Sequence, residues 1–93
     1  MKDLLLTTLH FVASFIPDSF RPFTMTLLDA FQHSGWLEED KRWADAAAVV
    51  TRWMNDVQAA QTVPDKGLQQ AARLAAELNA TRELSRLNLL KAV

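Results

Sequence analysis

The residues that could do chemistry are few and scattered. His10 and His33 are the two histidines of the chain, and neither has a second histidine three or four residues away, the spacing that would put two imidazoles on one helical face to hold a metal. Both read as structural. His10 is expected as a half-buried core or rim residue, and His33 as a cation at the negative end of its helix, with proton sensing the sharper alternative for either. Glu38, Glu39 and Asp40 suggest a metal or acid site at first sight. Three adjacent carboxylates spread around a helix, however, and with Lys41 and Arg42 behind them they have the pattern of a solvated face. Asp18-Ser19 has no glycine-rich turn and no nearby histidine, so it reads as helix capping. Two glycines are too few for a phosphate loop or a nucleophile elbow, and tyrosine and cysteine are absent. The expectation is a protein that is not an enzyme, with no catalytic residue, no metal and no cofactor.

A formal net charge of -1 creates no field that would draw the chain onto phosphate backbones or anionic lipid. Gly35 lies between two expected helices, as in a helix-turn-helix, but Trp36-Leu37 and three acids follow it. Lys66, Arg73, Arg82, Arg86 and Lys91 outnumber Asp65, Glu77 and Glu83 in the last third, which keeps a small helical DNA-binding regulator as the second reading. Without cysteine nothing points to an oxidising compartment, so the cytoplasm is the expected location. Lys2 followed by the apolar run Leu4 to Ile16 has the outline of a signal peptide, but Asp3 cancels the lysine and Thr7, Thr8, His10 and Ser14 interrupt the run. It is also short of the roughly 20 apolar residues that span a bilayer, so neither cleavage nor a membrane anchor is expected.

Which elements would position these residues? Asp3 caps a first helix expected to reach about Phe15, because Pro17 disfavours α geometry at Ile16. Leu5, Leu9, Val12 and Ile16 form its stripe. Leu4, Leu6, Phe11, Ala13 and Phe15 fill much of the remaining circumference, so this helix expects burial on several sides. Asp18 or Ser19 then caps a second helix with Pro22 in its first turn. Phe23, Leu27, Ala30 and Phe31 follow at helical spacing, widened by Phe20, Met25 and Leu28, until Ser34-Gly35 ends it.

The charge run Glu38 to Arg42 leads into a long alanine-rich helix reaching about Gln61, its acids facing the positive end of the dipole. Trp43, Ala46, Val50, Trp53, Val57 and Ala60 recur at steps of three and four, with Ala47 and Met54 beside them. Thr62-Val63-Pro64-Asp65 reads as a cap, a first-turn proline and an acid at the third helical position, opening a helix with the stripe Leu68, Ala71, Ala75 and Leu78. Continued past Leu78, that phase would bury Thr81, Arg82 and Ser85 and turn Leu84, Leu87 and Leu90 away. Asn79-Ala80-Thr81 is therefore read as a turn before a last helix from Arg82 to about Lys91, with one long helix as the alternative. The expected architecture is all-α, a small bundle of four to five helices with helical-hairpin packing in a single domain, residues 1–93.

Asp65 to Asn79, Asp-Lys-Gly-Leu-Gln-Gln-Ala-Ala-Arg-Leu-Ala-Ala-Glu-Leu-Asn, resembles the second helix of a tetratricopeptide repeat, with Leu68, Ala72 and Ala75 at its small or apolar packing positions. The sequence departs from the repeat at Ala80, where proline is usual, and the preceding helix lacks the tryptophan, leucine-glycine and tyrosine series. The resemblance implies a helical-hairpin surface that binds another protein's helix or extended segment.

An apolar surplus without chemistry leaves a protein that works by binding another protein: an adaptor, a small chaperone or an inhibitor, with a homodimer as one form of that association. The expected contact surface is Leu5, Leu9, Phe11, Val12 and Phe15, with Trp36 and Trp43 as secondary members. Trp36 and Trp43, seven residues apart, share a helical face if the third helix begins by Trp36.

Overall fold

The computed structural model describes residues 2–89, apart from the side chain of Phe15. Among these residues all regular structure is helical: α1 (Lys2–Phe15), a 3₁₀ turn (Asp18–Phe20), α2 (Arg21–Gln32), α3 (Arg42–Gln61) and α4 (Lys66–Ser85). The chain is thus all-α. It divides into two compact units, Met1–Asp45 and Ala46–Val93, so the first turn of α3 belongs to the leading unit and the rest of that helix to the trailing one.

In the leading unit α1 packs on α2. Pro17 takes an extended conformation (φ -56°, ψ 151°) and ends the first helix where the sequence places its end. The last turn of α1 has no basic residue of its own, and Arg21 supplies one. Its Nε donates to the Ala13 carbonyl at 3.1 Å while its guanidinium also holds Asp18 at 2.8 Å. The stripe Leu5, Leu9, Val12 and Ile16 is buried, as are Phe20, Leu27, Leu28 and Phe31. Thr24 is the buried polar residue of this core, and its hydroxyl is satisfied by donating to the Phe20 carbonyl at 3.1 Å.

Two expectations are corrected here. Asp18 and Ser19 do not cap α2, because the 3₁₀ turn intervenes and Phe20 occupies the N-cap position without a side-chain cap bond; Pro22 does lie in the first turn. Met25 points to solvent, since the buried face of α2 runs through Phe20, Thr24, Leu27, Leu28 and Phe31 and leaves it aside. Gly35, at φ 74°, turns the chain after α2 in a conformation that costs a side-chain-bearing residue strain.

In the trailing unit, the α3 stripe Ala46, Val50, Trp53, Val57 and Ala60 is buried as its periodicity predicts. Asp65, not Thr62, caps α4: its backbone is extended (φ -84°, ψ 122°) and its carboxylate accepts the Leu68 amide at 3.0 Å, the bond an N-cap makes to the third helical position. The predicted phase of α4 is also overturned. Ala76, Ala80 and Leu84 are buried, whereas Leu68, Ala71, Ala75 and Leu78 are exposed. With the stripe on the alanine side the phase never breaks, so Asn79-Ala80-Thr81 stays helical and the Thr81 hydroxyl donates to the Glu77 carbonyl one turn back.

The helix ends instead at Ser85, followed by a turn that closes at Asn88. Leu89 donates its amide to the Leu84 carbonyl at 3.1 Å and Asn88 to Ser85 at 3.0 Å, with Asn88 itself at φ 60°. That pair of bonds with a left-handed residue inside is a Schellman cap, and asparagine is the usual substitute for glycine there. Leu90 and Lys91, assigned from the sequence to a separate last helix, lie outside the described residues.

Candidate interaction surfaces

The seven expected contact residues fall into three groups. Leu5, Leu9, Val12, Trp36 and Trp43 are buried; Phe11 is 68% exposed; and the Phe15 side chain lies outside the described residues. Burial withdraws the five from direct contact in this conformation, because the three-and-four spacing that marked them is the spacing of the stripe that forms the core.

What α1 offers outward is its opposite edge. Leu4, 69% exposed, lies seven residues from Phe11 and therefore on the same side of the helix. The polar groups beside them are turned inward along the helix: the Thr8 hydroxyl donates to the Leu4 carbonyl at 2.8 Å and that of Ser14 to the Phe11 carbonyl at 2.6 Å. Hydroxyls occupied in this way leave a surface more apolar than its composition suggests. His10, expected at the rim or half-buried, is exposed on the same helix.

The tryptophans meet by a different route from the one expected. Trp36 stands in the connection before α3, which starts only at Arg42, so no shared helical face brings it to Trp43. The two rings nevertheless meet edge to face, centroids 5.0 Å apart, and Phe31 lies 5.8 Å from Trp43 on another side. Trp43 Nε1 donates to the Leu37 carbonyl at 2.8 Å, which ties the loop to the helix. The Arg42 guanidinium covers Trp36 at 4.4 Å and forks onto Asp40 at 2.8 Å. Asp40 also accepts the Arg42 amide at 2.9 Å, so it faces the helix start as the charge order predicts, although Glu38 and Glu39 lie in the loop. The Arg42 side chain, and then its amide, hold the Asp40 carboxyl below the usual aspartate range, and Asp40 in turn raises the guanidinium.

A second surface belongs to the trailing unit and was missed from the sequence. Leu68, Leu74 and Leu78 on α4 are 64%, 53% and 42% exposed, with Ala71 and Ala75 open between them. Leu68, Ala71, Ala75 and Leu78 were singled out by their spacing, but as core. Beside this ridge α3 and α4 enclose two clefts, of about 240 and 290 Å³. Ala59, Ala60, Val63, Ala72 and Ala75 line the larger, and Asp56, Ala76 and Asn79 line both. An ion pair between Arg52 and Glu83 closes the far end of the smaller.

Arg73 and Glu77 form a half-buried ion pair at 2.8 Å one turn apart on α4. Burial pushes the Glu77 carboxyl above the usual range, opposed by Arg73. Arg73 is therefore committed to Glu77, and Lys66, Arg82 and Arg86 remain the exposed described cations of the last third. His33, at the end of α2, places its Nδ1 2.9 Å from the Asp29 carbonyl, as expected of an imidazole at a helix C-terminus.

Among the described residues no group of three or more histidine, aspartate or glutamate side chains gathers where a metal could be held, and no helix is long and apolar enough to cross a membrane. Comparison of the chain with protein-family models, with curated proteins and with solved structures finds no match.

Proposed function

We propose that the protein is a non-enzymatic interaction module, an adaptor, small chaperone or inhibitor, that binds another protein through an apolar helical surface. The observation that carries this reading is the outer edge of α1. Leu4 and Phe11 are both more than two-thirds exposed on one side of the most apolar helix of the chain, with the hydroxyls of Thr8 and Ser14 turned to their own backbone. An apolar patch of this type suits a partner helix laid along it. We read the chain as a small bundle of helical hairpins in which α1 packs on α2 and its stripe is buried, so the outer edge is presented by a fixed element. A cysteine-free chain fits work in the reducing cytoplasm.

Phe11→Asp tests the reading. The full chain is immobilised, its stoichiometric partner identified from native lysate, and the affinity for that purified partner measured for wild type and variant. The expected result is a loss of at least about tenfold in affinity, on the order of 1.4 kcal/mol, with an unchanged far-UV circular dichroism spectrum. Unchanged affinity, or binding lost only together with helicity, removes α1 as the docking edge.

A further inference from the structure

The trailing unit presents both halves of a self-complementary surface. One half is a ridge: Leu68, Ala71, Ala75 and Leu78 follow one another at steps of three, four and three, and Arg82 continues that row four residues on. The other half is the pair of alanine-walled clefts beside it, with the Asp56 carboxylate where the two clefts meet. Neither the Asp56 carboxylate nor the Arg82 guanidinium makes a hydrogen bond or an ion pair among the described residues, unlike the neighbouring charges Arg52 and Glu83, which hold each other.

We propose that this face is covered by the same face of a second copy of the chain, with α4 of each copy laid on α3 of the other across a two-fold axis running along the helices. The leucines of one ridge then enter the clefts of the other copy, and Arg82 of each meets Asp56 of its mate.

Three arguments favour a second copy over a foreign helix. A two-fold interface uses one patch twice, so it must carry both ridge and recess and both signs of charge, as this one does. The register is also suitable. The Arg52 and Glu83 pair sets the level at which the antiparallel helices face each other, Asp56 is one turn beyond Arg52, and Arg82 adjoins Glu83. Side chains lean toward the N-terminus of their own helix, so on antiparallel helices Asp56 and Arg82 lean toward a common level. Finally, a chain this short buries a modest fraction of its surface alone, and association through leucines that α4 leaves outside adds apolar burial where the single copy has none. This inference is independent of the reading of α1.

The test is sedimentation equilibrium of the full chain over a tenfold concentration range. Wild type is expected at twice the monomer mass. Asp56→Arg and Arg82→Asp, which place like charges at both copies of the contact, are each expected to weaken the dimer roughly tenfold or more with helicity unchanged. An equimolar mixture of the two is expected to recover the dimer, because each chain then supplies what the other lacks. Leu78→Gln offers a route free of charge effects and must weaken the dimer as well. Phe11→Asp should leave it intact, which separates this test from that of the α1 edge. A wild-type monomer throughout, charge variants that dimerise as wild type does, or a mixture that fails to recover would each overturn the proposal. So would a monomer that takes a foreign helix on this face.

Discussion

The two units fill their interiors with different mixtures of residues. The leading one is built on rings: Phe20, Phe31, Trp36 and Trp43 are all buried, and the ring contacts draw in a loop as well as helices. The trailing one buries one ring, Trp53, among the aliphatic Val49, Val50, Val57 and Leu84 and the small Ala60, Ala76 and Ala80, while three leucines of α4 stay outside. Large side chains inside fill volume and tie distant segments; an inner face of α4 made mostly of alanine leaves three of its leucines for the surface. The difference explains where an apolar surplus accumulates. Each fully buried large side chain is worth roughly 1.5–3 kcal/mol relative to exposure, a gain that α4 forgoes at three positions.

The comparison breaks most sharply at Trp43. Its ring touches Trp36 and Phe31 and its Nε1 holds the Leu37 carbonyl, so Trp43→Ala removes packing and a loop anchor together. The expected loss is about 3–5 kcal/mol, read by urea unfolding. A loss under about 1 kcal/mol would mean that the rings do not organise the leading unit.

In the trailing unit the size of the effect should invert with the size of the residue. Ala76 is buried on the inner face of α4, so Ala76→Leu is expected to cost about 1–3 kcal/mol, although leucine is the better hydrophobe. Leu68→Gln should stay within about 0.5 kcal/mol, measured by the same unfolding experiment at the lowest workable protein concentration. If the leucine change were the costly one, the phase of α4 read from the sequence would be right and the exposed ridge would not exist.

Much of the scaffold was legible because three-and-four spacing of large residues is unambiguous. The stripes of α1 and α3, the end of α1 at Phe15 and the stop near Gly35 all stand where the periodicity and the breakers put them. On α4 the pattern was ambiguous, since alanine and leucine alternate around the whole circumference and either face satisfies the spacing. Choosing the leucine face inverted inside and outside and then required a turn at Asn79 that the chain does not make. Placing Leu5, Leu9 and Val12 on the contact surface with Phe11 went astray for a related reason: spacing marks the face that is buried, whereas Phe11 lies off that stripe and is exposed. Trp36 and Trp43 do meet, but inside the core and not along the shared helical face expected of them, because a loop contact six residues before a helix leaves no periodic trace.

The finest distinction between the units lies in two carboxylates. Asp40, in the leading unit, has its carboxyl lowered by the Arg42 side chain and amide; its contribution is present above the ordinary aspartate range and is lost as acid protonates it. Glu77, in the trailing unit, has its carboxyl raised by burial against the pull of Arg73, and the sign reverses. Between the ordinary glutamate range and its raised value the folded chain binds more protons than the unfolded one, so stability is fullest below that window and falls as pH rises through it. Glu77→Gln carries no titrating group and should flatten this fall, leaving stability less dependent on pH just above the ordinary glutamate range. The gain is partly offset, because Arg73 loses its ionic partner in a half-buried site. Urea unfolding of wild type and variant at several pH values across that window checks the difference in slope. If the wild-type slope persists in the variant, Glu77 is not the group that reports burial in the trailing unit.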